Sequence, residues 1–327
     1  MECPRPDISV LVATRNRAHH LERLLSSLEG QSLEGLTFEL IVINNGSVDD
    51  TQSVLERGRS RFKLVALYEG TAGKSRALNH GLKVAAGDLV VFTDDDVTAC
   101  PIWLRSLHEA FGEYRSAPVF CGPIIPCFPP GTPKWMPNHV GADFLFGKFT
   151  PDLPGGPMPT KILPYGANFA IRSSVRRGMR FRLDLGPSEE NGPLFGEDTD
   201  FARRVRGESQ EIIFVPAARV YHHVKSADIE PSSMLERAFH YGRGSIVSQG
   251  KFVLPTVTDL CVEQEFERAG LMNYYLGQLY QLNRLGIRSF DHGLRQALDH
   301  LKVSSSLDLL GKSAHLFYLS LPKAEDR

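Results

Sequence analysis

The 327-residue chain lacks the features that mark several large protein classes. Its five cysteines (Cys3, Cys100, Cys121, Cys127 and Cys261) are odd in number and contain no CxxC pair, which speaks against a disulfide framework and a cysteine-based zinc site. No apolar run approaches the roughly 20 residues that a membrane-spanning helix needs. Met1 to Asp7 is polar and proline-bearing rather than a signal-peptide core. Charge of either sign is not in excess, with 37 Lys and Arg against 38 Asp and Glu, so no generic basic surface invites nucleic acid. Internal repeats are absent. What is present, 42% apolar and 23% charged residues, is the composition of a globular chain with one large or two small domains. The expectation is a soluble protein of a reducing compartment, the cytoplasm.

The first hundred residues alternate strand and helix patterns. Ile8 to Ala13 is an apolar run of buried-strand length, and Leu21, Leu24, Leu25 and Leu28 then recur at the spacing of a helix lying on a sheet. Phe38 to Ile43, Phe62 to Leu67 and Leu89 to Phe92 read as further strands, with Ala77, Leu78, Leu82 and Ala85 as a helix face between the last two. Ser47 and Asp50 have the spacing of a capping box. Such repeats predict an α/β fold with a mostly parallel sheet covered on both faces, whose ligands bind beyond the carboxyl ends of the strands. From Cys121 to Pro164 the chain is rich in proline and glycine, with scattered aromatics such as Trp135 and Phe144, and reads as a long loop over the site. Short strands are predicted at Asn168 to Ile171 and Glu211 to Val215, with a helix opening near Glu197. Beyond Pro231 the pattern is helical, including Leu271 to Leu285 and Leu294 to Leu301. The domain boundaries read as 1–230 and 231–327.

Three features carry chemistry. Asp94-Asp95-Asp96 follows the Leu89 to Phe92 strand; adjacent carboxylates repel one another unless a cation offsets them, and hard oxygen ligands suit magnesium or manganese holding a diphosphate. On extended backbone Asp94 and Asp96 would face one way and Asp95 the other. Glu197-Asp198 opens a helix, where the dipole keeps a carboxylate ionised, as both a cap and a general base require. In Tyr221-His222-His223, alternation lets one histidine face a site. Gly73-Lys74-Ser75 resembles the end of a P-loop, but the first glycine of that motif would fall on Tyr68. Lys74 and Arg76 instead bring positive charge to a helix start, useful for a diphosphate.

In order along about residues 7–225, the pieces Val10-Leu11-Val12-Ala13-Thr14-Arg15-Asn16-Arg17, Ile43-Asn44-Asn45-Gly46-Ser47, Gly73 to Gly81, Gly87 to Asp96, Gly166-Ala167-Asn168 and Gly196-Glu197-Asp198-Thr199-Asp200, then His222, resemble the inverting family 2 glycosyltransferases. The resemblance implies a GT-A fold, a nucleoside-diphosphate sugar donor and a manganese or magnesium ion. It implies base and ribose contacts for Thr14, Arg15 and Asn45, an arginine near base or phosphate at Arg76, and a DxD motif beginning at Asp94. Asp96 and His222 would be the metal ligands, with Asp95 beside them; which of Asp95 and Asp96 binds the ion directly stays open. Asp198 would be the catalytic base, supported by Glu197, and Asn168 would line the donor-sugar pocket. The family often has an aspartate that recognises uracil where this chain has the amides Asn44 and Asn45.

Two rivals stand beside this reading. A nucleotidyltransferase would want a glycine-bearing loop after the first strand, and Ala13 to Arg17 has none. A non-catalytic nucleotide-sugar or glycan binder would have no need of Glu197-Asp198. The acceptor could be a saccharide, a lipid-linked glycan or a small molecule. The C-terminal stretch with Arg237, Phe239, Tyr241 and Arg243 reads either as a peripheral contact with the inner face of a membrane or as packing on the catalytic domain, and Leu271 to Leu285 as a homodimer contact or as internal packing.

Overall fold

The computed structural model describes residues 5–57, 61–134, 136, 145–176, 178–207, 211–250, 274–275, 277–278 and 280–281. Along the chain run β1 (Ile8–Thr14), α1 (Ala18–Glu29), β2 (Phe38–Asn44), α2 (Thr51–Glu56), β3 (Lys63–Tyr68), α3 (Lys74–Val84), β4 (Leu89–Phe92), β5 (Val97–Ala99) and α4 (Trp103–Glu113). There follow β6 (Val119–Cys121), β7 (Ile124–Cys127), β8 (Gly156–Pro157), β9 (Phe169–Arg172), α5 (Glu197–Arg206), β10 (Ile212–Phe214), β11 (Val220–His223) and α6 (Pro231–Gln249).

The main sheet has the order β3-β2-β1-β4-β9-β6-β10-β8, and a second sheet the order β5-β11-β7. β3, β2, β1 and β4 are parallel. β1, β2 and β4 are buried throughout except at Ala13, the continuous apolar pattern of strands covered on both faces. The chain steps from β1 outward to β2 and β3, then returns to the other side of β1 with β4, so the switch point lies at the carboxyl ends of β1 and β4. There, loops diverge and leave a crevice.

β9 runs antiparallel to β4, pairing Phe169 with Phe92. That reversal brings the 3₁₀ turn Gly166–Asn168 beside the carboxyl end of β4. Phe92 stacks on Phe169 at 4.6 Å and meets Phe181 and Phe201 edge-on, while Phe181 and Phe201 stack at 4.0 Å. Such pairs contribute about 0.5–1.5 kcal/mol each beyond the area they bury. Phe201 is one turn into α5, and Phe92 is the residue two before Asp94. This aromatic cluster therefore anchors the start of α5 beneath the end of β4.

The predicted structureless excursion from Cys121 to Pro164 is corrected at its beginning. β6 ends at Cys121 inside the main sheet, and β7 joins the second sheet, pairing in parallel with β11. Short apolar triplets with prolines between them escaped the periodicity that longer strands show. The capping box at Ser47 also does not form: α2 begins at Thr51, whose N–H donates to Asp49 Oδ1. Trp135 and Phe144 lie outside the described residues, as do Leu294 to Leu301 and most of Leu271 to Leu285.

The chain divides into two compact units, Met1–Pro133 with Phe146–Ser226, and Lys134–Leu145 with Ala227–Arg327. In the second unit α6 crosses the helical residues near 274–278 at two glycines. A Cβ on Gly242 would fall 1.9 Å from the Tyr274 carbonyl oxygen, and one on Gly277 equally close to that of Phe239. No described helix is long and apolar enough to cross a membrane.

Candidate active site

The site is built where β4 runs out of hydrogen-bonding partners. The backbone turns at Asp95 and Asp96, so the three aspartates do not alternate as they would on extended chain. Asp95 and Asp96 instead share one cation: Arg17 Nη1 donates to Asp95 Oδ1 at 2.7 Å and to Asp96 Oδ2 at 2.8 Å. Asp94 turns the other way, its Oδ1 lying 2.8 Å from Lys74 Nζ. Like charges crowd on the turn only because cations from two other elements, Arg17 after β1 and Lys74 at the start of α3, sit between them.

Asp95 is buried and also accepts a hydrogen bond from Thr14 Oγ1 at 2.7 Å. Burial and the neighbouring Asp96 push its pKa up to about 6, against the pull of Arg17 and Thr14. Thr14 and Asp95 thus satisfy each other inside the protein. Burial would raise Asp96 as well, but the His222 imidazole and the Arg17 guanidinium hold it well below the usual carboxylate range.

His222 reaches Asp96 because β11 pairs antiparallel with β5, and the His223 N–H donates to the Asp96 carbonyl. Its Nε2 lies 3.4 Å from Asp96 Oδ1, and its Nδ1 hydrogen-bonds the Phe146 carbonyl at 2.8 Å. His223 points away, to Thr98 Oγ1, as alternation requires. Asp96 Oδ1 is itself buried without a hydrogen-bond partner. Asp96 raises the His222 pKa against the effect of burial, so a cation would displace the Nε2 proton; with Nδ1 held toward the carbonyl, the freed Nε2 and Asp96 Oδ1 would then form an N/O pair of the kind a divalent cation takes. Among the described residues no group of three or more His, Cys, Asp or Glu side chains is gathered for a metal.

The second acidic element meets the first through Lys74. Its Nζ, 2.8 Å from Asp94, is also 3.2 Å from Glu197 Oε1. Burial and the adjacent Asp198 raise the Glu197 pKa to about 7, opposed by Lys74. Lys74 itself stays protonated: burial disfavours its charge, but Asp94, Glu197 and Asp198 raise its pKa well above the usual value. Asp198 faces differently. Its Oδ2 accepts the Gly166 N–H at 2.5 Å and its Oδ1 the Thr199 N–H at 2.9 Å, and the residue is partly open to solvent. Gly166 is required for this approach, because a Cβ there would sit 2.2 Å from Asp198 Oδ2. Gly166→Ala is therefore expected to turn the carboxylate away and lower turnover about 10²-fold, since a misplacement near 1 Å has that effect. Steady-state rates beside an unchanged unfolding midpoint would check it.

Other expected donor contacts are placed differently. The Asn45 amide is fully engaged with backbone, donating to the Glu69 and Thr71 carbonyls and accepting the Gly73 N–H at 2.7 Å. It shapes the loop into α3 instead of presenting an amide to a ligand. Asn44 is likewise bound to Gln52 and the Ser47 N–H. Asn168 is completely buried, donating to the Pro123 and Ala218 carbonyls and accepting from Trp103 Nε1, so its side chain does not line a pocket. Arg15 is exposed and pairs with Glu189 at 3.2 Å. Arg76 lines a cavity of ≈ 220 Å³ with Gly73, Ser75, Ser188 and Glu190. Sequence reasoning missed Arg17 as the partner of the triplet. Its position three residues after Thr14 gives no sign that the chain folds back over β4.

Residues 9–184, more than half of the chain, match the family described as Glycosyl transferase family 2. The chain belongs to that family. This family 2 glycosyltransferase is 28% identical over 240 residues to the succinoglycan biosynthesis protein ExoM of Rhizobium meliloti, covering 72% of this chain and 73% of that protein. It is 37% identical over 94 residues to the GalNAc(5)-diNAcBac-PP-undecaprenol β-1,3-glucosyltransferase of Campylobacter jejuni, 28% of this chain and 30% of that one. The fold is GT-A. The mannosyltransferase PcManGT of Pyrobaculum calidifontis, solved with GDP-Man and Mn²⁺, superposes with a TM-score of 0.55 at 18% identity, over 98% of this chain and 82% of that one. Residues 1–349 of Staphylococcus aureus TarS with UDP give 0.53 at 17% identity, over 90% and 89%.

Proposed function

We propose that this glycosyltransferase moves a sugar from a nucleoside-diphosphate donor to an acceptor hydroxyl with inversion at the anomeric carbon. The observation that carries the reading is the single Lys74 ammonium within 3.2 Å of both Asp94 and Glu197. It brings the aspartate triplet and the Glu-Asp pair to one crevice. Asp198, open on one edge and fixed by the Gly166 N–H, takes the proton of the acceptor hydroxyl. The acceptor oxygen forms its bond to the anomeric carbon as the bond to the diphosphate breaks on the opposite face. Glu197, turned to Lys74, supports the first turn of α5.

Asp96 and His222 would hold a divalent cation, magnesium or manganese. When bound, that ion offsets the charge that grows on the departing diphosphate. The donor set fits such an ion: one buried carboxylate oxygen without a hydrogen bond and one imidazole nitrogen, leaving room for diphosphate oxygens and water. The ligands bound in the structural neighbours, GDP-Man with Mn²⁺ and UDP, support a nucleotide-sugar donor, and the undecaprenol-linked acceptor of the Campylobacter relative makes a lipid-linked glycan one class to try. Catalysis is assigned to residues 1–230.

The test is thermal stabilisation by a panel of nucleotide sugars. A donor at 100 times its Kd stabilises by about 2.7 kcal/mol. The stabilisation is expected only with Mn²⁺ or Mg²⁺, to vanish with EDTA, and to be lost in Asp96→Ala. Equal stabilisation after exhaustive chelation would overturn the metal assignment. Slow release of sugar from the stabilising donor separates an enzyme from a binder.

A further inference from the structure

Lys74 is held in place before any substrate arrives. Gly73 donates its N–H to Asn45 Oδ1 at 2.7 Å, the Lys74 N–H donates to the Pro187 carbonyl at 3.1 Å, and Ser75 Oγ donates to the Leu185 carbonyl at 2.7 Å. The start of α3 is thereby clamped between the end of β2 and the segment that leads into α5. From this fixed base the lysine side chain, 24% exposed, reaches Asp94 Oδ1 and Glu197 Oε1. Taking an ammonium out of water is costly unless close carboxylates and hydrogen bonds offset it, so a lysine kept here in this geometry is tied to both partners.

Gly186 fits the same joint. A Cβ on it would fall 2.7 Å from Ser75 Oγ and 3.2 Å from Glu197 Cβ, so backbone there passes directly against the residue that Lys74 grips. Asp198, the next residue, is close enough for its charge to help keep Lys74 protonated, but its carboxylate turns to the Gly166 N–H instead of pairing with the lysine.

We propose that Lys74 is a positioning residue for glycosyl transfer, a bridge that fixes the first turn of α5 against the end of β4 and so sets the distance between the donor side and the base side of the crevice. It acts through Glu197 and Asp94 without touching the reacting atoms. The proposal rests on the reading of Asp198 as the base, and the experiment separates the two.

The probe is whichever nucleotide sugar gives the largest thermal stabilisation, with its release of free sugar followed at one pH. Lys74→Met is expected to lower kcat about 10²-fold, the scale of a 1 Å misplacement, with KM changed less than about threefold. Glu197→Gln, nearly isosteric, is expected to lower kcat about tenfold with KM kept, and the double variant to be no slower than Lys74→Met, because both changes break one bridge. Multiplicative losses in the double variant would overturn the bridge. So would a Lys74→Met enzyme that keeps its kcat, or one that loses donor affinity alone and is thus a donor ligand. If Lys74→Met does not fold, Glu197→Gln decides by itself: a wild-type kcat overturns the proposal. Asp198→Asn tests the base reading separately, since an active Asp198→Asn sinks that reading whatever Lys74 does.

Discussion

Asp198→Asn is expected to lose between about 10²- and 10⁴-fold in turnover, the usual contribution of a positioned general base, while binding the donor with near-normal affinity. The amide has the same shape and keeps an oxygen for the Gly166 N–H, which Asp198 Oδ2 accepts at 2.5 Å. It has no basic oxygen with which to take a proton. A 10²-fold loss corresponds to about 2.7 kcal/mol of transition-state stabilisation. On the proposed reading, donor affinity rests on Asp96 and His222 and should not change. Single-turnover rates beside calorimetric titration of the donor distinguish the two quantities. Near-normal turnover would remove the base from Asp198, and a parallel collapse in Glu197→Gln would move it one residue back.

The second large effect falls on stability. Asn168→Ala is expected to destabilise the protein by about 3–9 kcal/mol, because it leaves the Trp103 indole N–H and the Pro123 and Ala218 carbonyls without their partner in a dry interior, at about 1–3 kcal/mol for each. That is a large part of the 5–15 kcal/mol typical of a whole domain. The packing leaves no room for compensation: a Cβ on neighbouring Gly122 would lie 1.9 Å from the Ala218 oxygen and 2.8 Å from Asn168 Nδ2. Urea unfolding measures the loss. A variant of normal stability that fails to bind donor would mean that Asn168 faces the ligand after all.

Local pattern is plain around one of these residues and absent for the structural role of the other. The Glu197-Asp198 pair is visible locally as carboxylates in the first turn of an amphipathic helix, through the Gly196 start and the apolar Phe201, Ala202 and Val205 that follow, while the role of base for Asp198 comes from the family resemblance. Asn168 stands in an equally conspicuous segment, Gly166-Ala167-Asn168, which the family resemblance implies lines the donor-sugar pocket. Its side chain instead joins α4 to the loops before β7 and β11, a role with no local pattern because its partners lie 45 to 65 residues away. Asn45 repeats the lesson: an amide at a strand end suggests a ligand, but its three hydrogen bonds go to the backbone of residues 69–73. Arg17 is the converse. Nothing beside it in the chain shows that it neutralises Asp95 and Asp96.

The amino-acid order by itself determined the parallel strands, the helices on them, and the two acidic segments at element ends, because period-two and period-3.6 patterns and turn residues act within a few positions of one another. Only the tertiary structure decided which charges meet. The turn at Asp95-Asp96, the reversal of β9, the pairing of β11 with β5 and the phenylalanine cluster under α5 are contacts between distant residues. They place Arg17, Lys74 and His222 against carboxylates, since a buried charge is stable only where another part of the chain supplies its counterpart.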